Sequence, residues 1–253
     1  DLIATGQMGR VPSISVWNPT TMETKCVLQG FHRRAVSLLA FSNDGKLLAS
    51  VGHDDEHSLA IYDWENQTIK AHARSTSSKV LALDFMPDGR GLITVGVGHV
   101  KFWTLRGRNL TCKRGLLGKK GNVQPLLCIG WAGNSPIIGT ADGHLYRFQG
   151  RQLQVAIKAH ERSVNALYSC NEGLCSGGKD GMVRLWTTSL ECTVEVDMAV
   201  LGAFNPCVRS VCWNPDSNKI LIGTRGSEIF EVSASDGSNL HGTGALLQGH
   251  CAY

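Results

Sequence analysis

An aromatic residue returns about every forty residues along this chain, each time in a short run of strand-like alternation. Trp17, Tyr62, Trp103, Phe148, Trp186 and Phe230 hold the place in turn. Between them lie further short apolar runs, parted by the Asn, Asp, Gly and Pro residues of tight turns. The unit that begins at Ser163 shows the grammar. Ser163 to Tyr168 alternates polar and apolar residues, as a half-buried strand does. Asn171-Glu172-Gly173 is a turn, and Leu174 to Gly178 is a second strand with small residues where a neighbouring sheet would crowd it. Lys179-Asp180-Gly181 is a hairpin turn of the D-G type, Met182 to Thr187 a third strand, and Cys192 to Val196 a fourth.

The same order recurs along the chain. It appears in Val36 to Phe41, Leu47 to Val51 and Leu59 to Asp63, then in Val80 to Phe85, Leu92 to Val95 and Val100 to Leu105. It appears again in Leu126 to Trp131, Ile137 to Thr140 and His144 to Phe148, and last in Val208 to Trp213, Ile220 to Gly223 and Glu228 to Val232. Four strands per unit at this period is the signature of an all-β WD-repeat β-propeller. No long segment holds apolar residues at helical spacing, and no linker or low-complexity stretch interrupts the units, so one domain over residues 1–253 is expected. The chain opens within a unit, with Leu2 to Gly6 as second strand and Ile14 to Trp17 as third. It stops just after Leu247-Gln248-Gly249-His250, which would open another. About six blades are therefore expected, the first lacking its innermost strand, as a partial ring from a longer chain. Such a piece would expose ladder edges at two ends, be marginally stable alone and associate there.

Composition narrows the function. At 42% hydrophobic and 18% charged, the chain has a globular balance rather than that of a disordered tail. No apolar run could span a bilayer, and Asp1-Leu2-Ile3 opens no secretory signal, so a cytoplasmic protein without membrane contact is expected. The nine cysteines, Cys251 the last, include no C-x-x-C pair and read as reduced, small apolar side chains. Neither metal nor cofactor is implied. The glycosylation sequons at Asn66 and Asn109 read as chance matches.

Two constellations carry polar chemistry. His160, Ser176, Asp180 and Trp186 stand at the spacing of a WD-repeat polar tetrad: indole N–H to serine, serine to histidine, histidine to aspartate. A Ser-His-Asp set also invites a hydrolase reading. Degraded copies recur, however, as His32, Ser50 and Tyr62 and as His72, Thr94 and Trp103. A catalytic site occurs once, whereas a structural network repeats with its fold, so no enzyme is expected. The second constellation is electrostatic. No acidic residue lies between Asp88 and Asp142, while Arg90, Lys101, Arg106, Arg108, Lys113, Arg114, Lys119 and Lys120 do. The six from Arg106 onward form a candidate docking surface for an acidic partner. The repeat fixes the nearby aromatics in the core, which disfavours a stacking platform for nucleic acid. Gly115 to Gly121 lacks the Ser or Thr of a phosphate loop and reads as a basic turn.

Particular strings go beyond a generic propeller. Val95-Gly96-Val97-Gly98-His99-Val100-Lys101-Phe102-Trp103-Thr104-Leu105, then Lys113-Arg114-Gly115-Leu116-Leu117-Gly118-Lys119 and Leu127-Cys128, resemble the echinoderm microtubule-associated protein-like family. Ile3-Ala4-Thr5-Gly6-Gln7, Ser15-Val16-Trp17, Gly177-Gly178-Lys179-Asp180-Gly181, Arg184-Leu185-Trp186, Ser210-Val211-Cys212-Trp213 and Ser227-Glu228-Ile229-Phe230-Glu231-Val232 fit in the same order, over essentially the whole chain. The resemblance implies most of the first of two tandem propellers in a tubulin-binding, cytoplasmic cytoskeletal protein. It also implies a partner, tubulin or microtubules, with other proteins possible and neither nucleic acid nor membrane. The alternative is a generic WD-repeat scaffold without tubulin contact.

Overall fold

The computed structural model describes residues 2–170, 173–242 and 244–249. Asn171, Glu172, His250 and Cys251, named in the readings above, lie outside the described residues. Among those residues every regular element is a strand, and no helix is long and apolar enough to cross a membrane. The strands form six antiparallel sheets, the blades of a β-propeller. By contacts the chain falls into two compact units, Asp1–Gly115 and Leu116–Tyr253, each with three sheets.

The first unit runs β1 (Ile3–Gly6), β2 (Met8–Gly9), β3 (Ile14–Trp17), β4 (Thr24–Leu28), β5 (Arg34–Phe41), β6 (Leu47–Gly52), β7 (Leu59–Asp63), β8 (Thr68–Ala73), β9 (Val80–Phe85), β10 (Gly91–Gly96), β11 (His99–Arg106) and β12 (Asn109–Arg114). Its first sheet has three strands in the order β1-β3-β4 and, among the described residues, no inner strand. Its second has five, because β2 adds to the inner edge of β5. β2 lies in the connection between β1 and β3, so the tip of the first sheet's hairpin is paired with the second sheet. Met8 faces Ala35, Gly9 faces Arg34, and the Val36 amide donates to the Gln7 carbonyl at 3.0 Å.

The second unit runs β13 (Leu126–Ala132), β14 (Ser135–Thr140), β15 (His144–Gln149), β16 (Gln152–Lys158), β17 (Val164–Ser169), β18 (Leu174–Gly178), β19 (Met182–Trp186), β20 (Cys192–Asp197), β21 (Val208–Trp213), β22 (Lys219–Thr224), β23 (Glu228–Ser233) and β24 (Leu247–Gln248). Three four-stranded meanders result, each in chain order.

Burial grades across the blades. Second strands such as β10 and β18 are buried along their whole length, whereas outermost strands such as β8 and β12 expose most side chains. Neighbouring sheets approach closely through a small residue on the second strand. A Cβ at Gly177 would stand 2.3 Å from Val208 Cγ1, one at Gly139 2.9 Å from Val164, and one at Gly6 2.7 Å from Val36. Each valine lies in the first residues of the inner strand of the following sheet, which is why these positions hold glycine.

The recurring aromatic needs one correction. Trp186 pairs with Leu174, Trp103 with Leu92, Tyr62 with Leu48 and Trp17 with Ile3, all at one register. In the last sheet that place belongs to Val232, opposite Ile220, and Phe230 stands two residues earlier, opposite Ile222. Both side chains share one face of β23, so alternation alone does not separate them. Phe230 is fully buried, while Trp17, on the sheet without an inner strand, is half-buried.

Candidate functional site

The fifth sheet joins its four polar residues into one chain. Trp186 Nε1 donates to Ser176 Oγ at 2.9 Å, and Ser176 Oγ lies 2.7 Å from His160 Nε2. Ser176 Oγ thus bridges the indole to the imidazole, whose Nδ1 faces Asp180 Oδ1 at 3.0 Å and the Arg184 guanidinium at 3.2 Å. Asp180 also accepts the amides of Glu161 at 2.9 Å and Met182 at 3.2 Å, so its carboxylate joins the loop before β17 to the β18–β19 turn. Burial alone would raise the pKa of Asp180; the His160 bond and charge and the two amides outweigh it and hold the value at about 2. Ser176, His160 and Trp186 are all buried.

The other sheets vary this theme. In the second, His32 Nε2 lies 2.6 Å from Ser50 Oγ, and its Nδ1 lies 3.2 Å from Ser58 Oγ, which in turn bonds to Asp54. The aspartate thus reaches the histidine through a serine. Burial, only partly offset by the Asp54 charge, lowers the His32 pKa to about 4. In the third sheet Trp103 Nε1 donates to Thr94 Oγ1 at 2.9 Å. His72 does not join them, which corrects the sequence reading. It is exposed on β8 against the Phe31 ring, and Thr76 holds the place that His160 holds in the fifth sheet. Lys101 takes the register of Arg184: its ammonium bonds to the Ser75 carbonyl and lies 5.7 Å from the Trp103 ring centre.

Two further networks were missed by the sequence reading, although Asp142 stands in an Asp-Gly turn at the register of Asp180. In the fourth sheet Asp142 accepts from Thr140 Oγ1 at 2.6 Å and lies 2.9 Å from His144 Nδ1. Burial would raise its pKa, but these bonds hold it at about 2. In the sixth, buried Glu228 accepts from Thr224 Oγ1 at 2.8 Å and from the Phe204 amide at 2.9 Å. A glutamate has replaced the histidine–aspartate pair there, and its spacing from β22 differs from the repeat.

The candidate basic surface divides between the units. Arg106 ends β11, Arg108 lies in the following turn, and Lys113 and Arg114 end β12, the outermost strand of its sheet. Lys113 pairs with Phe102 and Arg114 with Lys101, so these two side chains leave opposite faces of β12. Lys119 and Lys120 belong to the second unit, in the turn after Leu116, and Lys120 Nζ donates to the Gln154 carbonyl at 2.7 Å. All six residues are exposed.

With this geometry in place, the chain can be set beside known proteins. The family model of the echinoderm microtubule-associated protein first beta-propeller matches residues 1–232. The 77 kDa echinoderm microtubule-associated protein of Strongylocentrotus purpuratus is 35% identical, over 90% of this chain and 36% of its own length. Echinoderm microtubule-associated protein-like 2 of Homo sapiens is 31% identical over 98% of this chain and 40% of its own length. Echinoderm microtubule-associated protein-like 4 of Homo sapiens is 28% identical over 98% and 27%. The chain thus spans well under half the length of these relatives. Among solved structures, the Cps50 (Swd1) beta-propeller domain of Myceliophteria thermophila superposes with a TM-score of 0.80 at 14% identity, covering 95% of this chain and 82% of that one. The computationally designed Ika8 protein gives 0.70 at 19% identity, covering 94% and 72%. Both likenesses concern the fold.

Proposed function

The chain belongs to the echinoderm microtubule-associated protein family, and on that premise we propose that it is a non-enzymatic propeller module that binds tubulin on cytoplasmic microtubules. The observation that carries the proposal is the family match over residues 1–232. Docking is electrostatic and shape-based. The exposed cations Arg106, Arg108, Lys113, Arg114, Lys119 and Lys120 meet an acidic protein surface, raising encounter rate and making attachment salt-sensitive. The buried tetrad has a structural role. Ser176 Oγ accepts from the Trp186 indole N–H and the residue is fully excluded from solvent, a position that serves cohesion between strands and not attack on a substrate.

Co-sedimentation with polymerised tubulin tests the reading. The intact chain should pellet, and replacing Lys113, Arg114, Lys119 and Lys120 by Glu should weaken pelleting about tenfold or more. Pelleting that ignores both the charge reversal and added salt would remove the electrostatic mechanism. A folded chain that stays in the supernatant at every salt concentration would remove the tubulin assignment.

A further inference from the structure

A cleft of 310 Å³ opens in the first unit between the inner strands of its second and third sheets. Leu38 on β5 and Val80 on β9 form its apolar walls, and His53, His57 and Lys79 bring three nitrogen-bearing side chains to it. The two histidines stack, ring centres 6.3 Å apart and planes 26° from parallel. They sit on a well-fixed loop. The His53 amide donates to the Ala35 carbonyl at 2.9 Å, and His57 holds a left-handed φ of 45° with its Nδ1 on the Thr76 carbonyl at 3.0 Å. Lys79 is fixed from the other side, its carbonyl accepting the Val97 amide at 3.0 Å.

The charge lining this cleft is one-sided, although the loop between its two histidines carries three acids. Among the described residues no carboxylate lines the cleft. The nearby acids are all engaged elsewhere: Asp54 with Ser58, Asp55 with Arg34 at 2.7 Å, and Glu56 with Arg74 at 3.0 Å. Lys79 and His53 enter none of the ion pairs among the described residues. Burial lowers the pKa of His99 against the hydrogen bond to the Val97 carbonyl, and the charges of Lys101, His57 and Arg114 add to the lowering. His99 Nε2 and Ser75 Oγ in this corner are buried without a hydrogen-bond partner among the described residues. A volume at the lower end of the ligand-pocket range suits a side chain rather than a cofactor.

We propose that this cleft receives a glutamate side chain from an acidic peptide segment of a protein partner, with Lys79 pairing the carboxylate and the His53–His57 stack enclosing it. Leu38 and Val80 cover the methylenes, which distinguishes glutamate from a small inorganic anion. None of the six cations from Arg106 to Lys120 lines this cleft, and its chemistry holds whichever acidic protein supplies the segment.

The test uses the intact chain and a short fluorescent polyglutamate peptide, read by anisotropy, with a polyglutamine peptide of equal length and inorganic phosphate as separate arms. Lys79→Glu should weaken polyglutamate binding about tenfold or more, while Lys46→Glu, an equal charge change on an exposed turn of the second sheet, should change it less than about twofold. Lys79 is exposed, so unfolding does not confound the variant; His57→Gln, checked by thermal melting, gives a second reading of the same cleft. In nuclear magnetic resonance spectra the ring signals of His53 and His57 should move on adding the peptide. Equal binding by wild type and Lys79→Glu, motionless histidine signals, or binding of phosphate without polyglutamate would each overturn the proposal. Microtubule pelleting with loss of this peptide site, or the reverse, separates the two functional claims.

Discussion

His32 and His160 occupy the same place in two sheets, yet they meet acid differently. His160 touches Asp180 directly, whereas a serine stands between His32 and Asp54. The pH consequence follows from His32. Its folded pKa of about 4 lies below the ordinary 6.5, so the unfolded chain binds the proton first and stability falls as pH drops from 6.5 towards 4. Urea melts should lose roughly 2 kcal/mol between pH 7.5 and pH 5 from this group, and much less in His32→Gln. Asp180 acts at lower pH. Its depressed pKa adds stability above about 3.8 that is lost as pH falls towards 2, a second acid step that Asp180→Asn should remove. At neutral pH, Ser176→Ala should cost about 1–3 kcal/mol by chemical denaturation, since it orphans the Trp186 N–H and His160 Nε2 together. Much of this was legible in the sequence because Trp, Ser, Asp and His each fill a role that spacing reveals. His72 misled for the same reason. It is the right residue type, but it lies too far ahead of Thr94, on an outer strand, and Thr76 stands at the equivalent position. Asp142 was overlooked because Asn122 and not a histidine stands ahead of it at the place of His160, and Glu228 because it reaches the Phe204 amide 24 residues away, which no spacing announces.

At the scale of elements, the first three strands of each blade could be read within a residue or two, because their burial alternates or is continuous. The outermost strands could mostly not. β8 and β12 expose residue after residue, so they carry almost no hydrophobic period. Phe230 shows the matching limit inside a strand: two apolar residues on one face of β23 give no hint of which takes the tryptophan's register. The glycines of the second strands were readable as small residues, and the structure explains them as points of contact between sheets. Gly177→Val would drive a branched side chain into Val208 and should cost about 1–3 kcal/mol, measured by denaturant midpoint at unchanged slope. A shift in slope instead would mean that the native sheets had rearranged.

At the scale of the molecule, the repeat gave the architecture and the family strings gave the functional class. The basic interval gave only composition. Its division between an outer edge strand and the turn after Leu116 depends on pairing register, which no single sequence prints. The first two sheets offer a last lesson. Met8 and Gly9 belong by connection to one sheet and by hydrogen bonding to the next. Opening the first sheet must therefore tug at the ladder of the second, and these two should behave as one cooperative opening unit. In native-state hydrogen exchange, the amides of Val36 and of the β1–β3 ladder should share a common opening free energy, and Gly6→Val should lower both together.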